Sequence, residues 1–137
     1  MKIGTPKELA SGENRVAMTP DSARALQKLG YECLVESGAG VAAGFADAAY
    51  EEADVTVVDS AEALYAQADV IAKVQPPTEG EVAWLGDGKT LISFFWPAAN
   101  EELMKSAANT GASVIAMDMV PRISRAQKMD ALSSIFS

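Results

Sequence analysis

The densest run of reactive side chains lies near the end of the chain. Between Val120 and Ser134 stand Arg122, Ser124, Arg125, Gln127, Asp130, Ser133 and Ser134, packed into what reads as one connection between a strand and a helix. Arg122 offers several donors in a rigid fork, suited to anchoring an amide or phosphate oxygen. Asp130 and Ser133, three positions apart, share one helix face. The apolar run before them places the cluster at the carboxyl edge of a sheet, where α/β proteins take their ligands. A plainer reading is also open. Ser124 and Gln127 have the spacing of a capping box, so the cluster could be a helix start with solvated charges.

A second candidate is Gly38-Ala39-Gly40-Val41-Ala42-Ala43. It follows a predicted strand and matches a dinucleotide-binding pattern with alanine in the third glycine slot. Asp59 ends the next strand, where a ribose-binding acid would sit. Such a cradle works only if a helix opens at the second glycine and aims its N–H groups at a pyrophosphate. Here Gly44 and Phe45 interrupt, and the helical pattern starts at Ala46 or Asp47. A glycine-rich connection without a ligand explains the same residues.

Composition removes much other chemistry. The 137 residues carry 11 basic and 19 acidic side chains, a formal charge of −8, and no histidine. That excludes Ser-His-Asp and Cys-His catalysis and histidine metal sites. The lone Cys33 excludes an internal disulfide and any multi-thiolate metal site, and its apolar neighbours predict a buried, inert thiol. No metal is expected. The acidic balance, with a pI near 4.4, argues against nucleic acid or anionic membrane as the main partner. No apolar run approaches the roughly 18 residues of a membrane span. The first eight residues reach Pro6, Lys7 and Glu8 before a signal-peptide core could form. A cytoplasmic domain that does not itself insert in a membrane is expected.

The elements that must position these residues alternate along the chain. Strands are predicted over 2–5, 31–36, 55–58, 70–74, 90–95 and 113–117. Thr19-Pro20-Asp21 opens a helix, with threonine as N-cap and proline at its first position, and Gly30 closes it. Further helices are predicted over 47–53, from a Ser60 cap through Gln67, from an Asn100 cap to about 109, and from Ser124 onward. The order implies a three-layer α/β fold, Rossmann-like or flavodoxin-like, with a mostly parallel sheet and helices on both faces. Residues 1–137 read as one domain. Met129, Leu132 and Ile135 give the last helix an apolar stripe just as the sequence ends, so about 124–137 reads either as the start of an inter-domain helix or as a terminal helix folded back on the sheet.

Several motifs, taken together and in order, resemble one family. These are Lys7-Glu8, Gly12-Glu13-Asn14-Arg15-Val16-Ala17 with Thr19-Pro20, Glu36-Ser37-Gly38-Ala39-Gly40, Lys73-Val74-Gln75-Pro76, Phe94-Phe95-Trp96-Pro97 and the segment from Arg122 to Ser134. They resemble the N-terminal domain shared by the α subunits of proton-translocating NAD(P) transhydrogenases and by alanine dehydrogenases. The resemblance implies that NAD(H) lies between this domain and a following Rossmann domain. Arg122 and Asp130 would contact the nicotinamide carboxamide, with Ser133 nearby, and Gln127 would project toward the component that carries NADP(H). Gln127 and Asp130 are the residues closest to catalysis in that picture. The implied reaction is direct hydride transfer from NADH to NADP⁺, coupled to proton passage through a membrane component.

The resemblance also implies a homodimer, a β subunit as partner, and peripheral association with the inner membrane through the membrane component. In alanine dehydrogenase the substrate-binding arginine and lysine correspond to Arg15 and Lys73, and a catalytic histidine stands where this chain has Trp96. An amino-acid oxidoreductase domain is therefore the alternative inside the family, with a structural ion pair or loop anchor as the other reading of Arg15 and Lys73. A non-catalytic interaction domain is the alternative outside it. Ile135-Phe136-Ser137 and Lys128 depart from the family pattern, and the chain alone is expected to be inactive.

Overall fold

The computed structural model describes residues 1–119. Six short strands form one sheet: β1 (Lys2–Thr5), β2 (Glu32–Glu36), β3 (Thr56–Val58), β4 (Val70–Ala72), β5 (Thr90–Ser93) and β6 (Ser113–Ala116). Their spatial order is β3-β2-β1-β4-β5-β6. Every pairing is parallel, with Ile3 opposite Cys33 on one side and Val70 on the other. Of the two doubly wound orders expected, this is the Rossmann one.

The crossovers are helical: α1 (Pro20–Lys28), α2 (Asp47–Glu52), α3 (Ala61–Gln67), α4 (Glu79–Val82) and α5 (Pro97–Asn109). Both sheet faces are covered, which is why the inner strands carry consecutive buried apolar residues, 33–35 in β2, 70–72 in β4 and 91–92 in β5, rather than alternating ones. One face packs Ile3, Cys33, Val35 and Ile92 against Met18 and Leu26, with Tyr50 of α2. The other packs Leu34, Ile71 and Leu91 against Leu64 and Tyr65 of α3, with Ala107 of α5. Cys33 is buried, and burial pushes its thiol up to about 11, an inert group as its neighbours predict.

Local signals account for most boundaries. Thr19 caps α1 in a reciprocal box with Ser22, and Gly30 lies just past the end in the left-handed conformation, φ 97°. Ser60 caps α3 through the Ala63 N–H. Two elements differ from expectation. The four-residue α4 is too short to show a helical period, although Thr78 and Glu81 form its capping box. Helix α5 opens at Pro97, three residues before Asn100. Asn100 instead breaks the helical geometry (φ −129°, ψ 25°), and its amide donates to the Phe95 carbonyl at 2.8 Å. Among the described residues no helix is long and apolar enough to cross a membrane. The expected helix from Ser124, with the Met129, Leu132 and Ile135 stripe, lies outside the described residues.

Candidate functional site

The strand order reverses between β1 and β4, so the loops that leave their carboxyl ends diverge and open a crevice. The loop after β1, residues 6–19, brings Glu8, Glu13 and Arg15 there, and Lys73 is the first residue after β4. The Glu8 side chain, 3% exposed, accepts the Val74 N–H at 2.8 Å and the Gln75 N–H at 3.2 Å. It also accepts from the Lys73 ammonium at 3.3 Å.

Lys73 is itself buried and makes a second ion pair with Glu81 of α4 at 3.3 Å. Glu81 in turn accepts the Tyr65 hydroxyl at 2.9 Å and the Thr78 N–H at 2.8 Å. Three charges are thus held out of water by one another and by backbone donors, the condition under which buried ions persist. Burial first, then the Glu81 charge, pushes the Tyr65 phenol well above its ordinary value, so it is a fixed donor.

Further out on the same loop, Glu13 accepts Arg15 three times: Nη2 at 2.8 Å, Nε at 2.9 Å and the backbone N–H at 2.8 Å. Gln75 donates to it as well. The hydrogen bond from the Arg15 side chain is the main reason the Glu13 carboxyl falls to about 2. Arg15 remains 64% exposed and faces solvent with its remaining donors. An open cavity of about 290 Å³ lies here, with Lys7, Glu8, Glu13 and Arg15 on one wall and Gly38, Ala39, Val41 and Ala42 on the other.

That second wall is the glycine-rich turn, and its geometry is not that of a phosphate cradle. Residues Val41–Ala43 form one 3₁₀ turn, and α2 opens at Asp47, as the sequence pattern indicated. The Gly38 N–H is already taken by the Asp47 carboxylate at 2.9 Å, which also accepts the Ser37 hydroxyl at 2.6 Å. These two bonds, the Gly38 N–H foremost, hold the Asp47 carboxyl below its ordinary value. A Cβ on Gly40 would stand 2.6 Å from the Tyr50 ring. Packing therefore explains this glycine. The turn also follows β2 rather than β1, away from the reversal, and Asp59 lies exposed beyond the edge strand β3.

Further hydrogen bonds join the loops into one rim. The Lys7 N–H donates to Glu36 at the end of β2 at 2.8 Å. The Phe94 N–H donates to the Val74 carbonyl at 3.3 Å. Past β5 the Phe95 and Trp96 N–H groups both donate to the Asp118 carboxylate, at 3.2 and 2.8 Å. Trp96 sits in the left-handed region, φ 46° and ψ 69°, which costs a side-chain-bearing residue about 1–2 kcal/mol.

The structure thus brings Arg15 and Lys73 to one edge, each tied to carboxylates. Arg122, Gln127, Asp130 and Ser133 lie outside the described residues. Reading side chains one at a time gave no role to Glu81, Tyr65 or Asp118. The Thr78–Glu81 capping spacing was a legible signal for the first, whereas no local pattern marks the other two. Among the described residues no group of three Asp, Glu, Cys or His side chains is placed to hold a metal ion.

Fold and rim define a doubly wound α/β domain with a charge-lined crevice at its strand-order reversal. The chain belongs to the alanine dehydrogenase/PNT N-terminal domain family, whose model matches residues 4–136. It is 61% identical over 98% of its length to the NAD(P) transhydrogenase subunit alpha of Cereibacter sphaeroides, of which it spans 26%. It is 40% identical over 88% of its length to the alanine dehydrogenase of Halomonas elongata, spanning 32% of that protein. A crystal structure of transhydrogenase from Sinorhizobium meliloti superposes with a TM-score of 0.84 at 37% identity, over 97% of this chain and 40% of that one. An L-alanine dehydrogenase structure superposes at 0.79 and 34% identity, over 85% of this chain and 32% of that one.

Proposed function

We propose that this chain is the N-terminal part of the NAD(H)-binding α subunit of an NAD(P) transhydrogenase, acting in hydride transfer from NADH to NADP⁺ coupled to proton translocation. The observation that carries the reading is the 61% identity, over nearly the whole chain, to a transhydrogenase α subunit, against 40% for an alanine dehydrogenase. A cavity of about 290 Å³ between the loops after β1 and β2 takes a ring or a phosphate but not a whole dinucleotide, as expected if another domain closes the cleft.

When bound, the two nicotinamides supply the hydride chemistry, which needs no protein acid or base. The work left to the protein is to hold the rings face to face and exclude water. Arg122, Asp130 and Ser133 would hold the carboxamide of NAD(H), and Gln127 would face the NADP(H)-carrying β subunit. Partners in this reading are a second copy, the β subunit and a membrane component, with the domain on the cytoplasmic side of the inner membrane. Without the second domain the chain binds NADH weakly and transfers no hydride.

The alternative is an amino-acid oxidoreductase domain built on Arg15 and Lys73. Against it stand Trp96, which cannot relay a proton, and the carboxylates that already partner both cations. The test joins this chain to the remaining residues of the Cereibacter sphaeroides α subunit and expresses the product with that organism's β subunit. Hydride transfer between NADH and an NADP⁺ analogue near the parent rate, with no alanine-dependent reduction of NAD⁺, is the expected result. Alanine oxidation without transhydrogenation overturns it.

A further inference from the structure

We propose that Asp118 is a positioning residue that holds the Trp96 indole at the carboxyl edge as a stacking face for the nicotinamide ring, an inference that rests on the dinucleotide reading above. The backbone of Trp96 is an outlier. Among non-glycine residues described, only Asp54 and Trp96 have positive φ, and Trp96 is a bulky residue on the rim. Strained backbone of this kind persists only where its surroundings over-determine it, and it collects at functional sites. Here the determinant is Asp118, whose two carboxylate oxygens take the Phe95 and Trp96 N–H groups.

The strain has a visible consequence. Trp96 stays 42% exposed, with its indole stacked on Phe94 at 5.8 Å between centroids and 28° between planes. The exposed part of the indole is a flat aromatic surface, and a flat ring is its natural complement. The same turn reaches the crevice through the Phe94 N–H bond to the Val74 carbonyl, beside the Glu8–Lys73 pair. Asp118 also lies four residues before Arg122 in the chain. One carboxylate therefore fixes the backbone of the turn that presents the indole.

The test uses the joined α subunit described above, with every tryptophan except Trp96 replaced by phenylalanine. NADH is compared with ADP-ribose, which lacks the nicotinamide ring. NADH is expected to quench Trp96 emission and ADP-ribose to leave it unchanged. Trp96→Ala and Asp118→Ala should each weaken NADH about fivefold, the scale of one aromatic stack, without changing ADP-ribose affinity. Trp96→Phe should restore most of the loss, and Asp118→Asn, which keeps one acceptor oxygen, should fall between. Equal quenching by both ligands, or parental NADH affinity in Trp96→Ala, overturns the stacking face. Parental NADH affinity and emission in both Asp118 variants overturns the clamp. Binding of neither ligand by the unsubstituted subunit overturns the dinucleotide reading, and this proposal with it.

Discussion

Two turns leave the same edge of the sheet side by side, and they use their residues in opposite ways. The turn after β2 has the glycines of a nucleotide motif, yet the space they leave is filled by the chain's own Tyr50 and their N–H donor by Asp47. The loop after β1 matches no general motif, yet it carries the charges of the crevice. The letters of a motif therefore decide less than what the fold has already done with them: the glycine turn lines the cavity with its donor and its space already spent, while the loop opposite lines it with charge.

Substitutions can break that contrast. The largest effect is expected from Lys73→Met. It strips the shared ion-pair partner from two buried carboxylates and should cost about 3–5 kcal/mol in urea-induced unfolding; a loss under 1 kcal/mol would mean the triad is not buried as described. Gly40→Ala comes next, at about 1–3 kcal/mol from forcing a methyl against the Tyr50 ring. Its NADH affinity in the joined subunit should stay at the parental level. If affinity falls and stability does not, the glycine turn is a nucleotide site after all.

Asp47→Ala should cost about 1 kcal/mol by orphaning the Gly38 N–H, read as a lower melting temperature. The smallest effect is at Glu13. Its folded carboxyl lies at about 2, below the ordinary 4.5. The stability it contributes is therefore complete above about pH 4.5 and lost as the pH falls toward 2. Because Arg15 is exposed, the amount is under about 1 kcal/mol. Stability measured across that window should fall less steeply in Glu13→Gln than in the parent.

Much of the fold was legible because its signals are local. Thr19-Pro20, Ser60 and the apolar strands act within a few residues, and they located α1, α3 and the sheet. Asn100 is instructive: a helical run does follow it, as an asparagine before such a run predicts, but its amide serves the Phe95 carbonyl and a further turn precedes it from Pro97. The site was harder to read. Glu8 meets Val74 across 66 positions and Asp118 meets Trp96 across 22, and no periodicity encodes such pairings. The motifs that carried the family resemblance flagged Lys7-Glu8 and Lys73, but not that one clasps the other.

The place of β1 has a consequence for how the molecule comes to be folded. It is the central strand, and its Lys2 N–H finds the Asp69 carboxylate 67 positions along the chain. A nascent chain emerging from its amino end would hold Ile3 and its neighbours without one of their two flanking strands until β4 had been made. Such late closure slows folding and prolongs exposure of an apolar strand edge. Pausing synthesis just before residue 70 should therefore leave a chain that chaperones bind, and pausing after β5 has cleared the ribosome should release it.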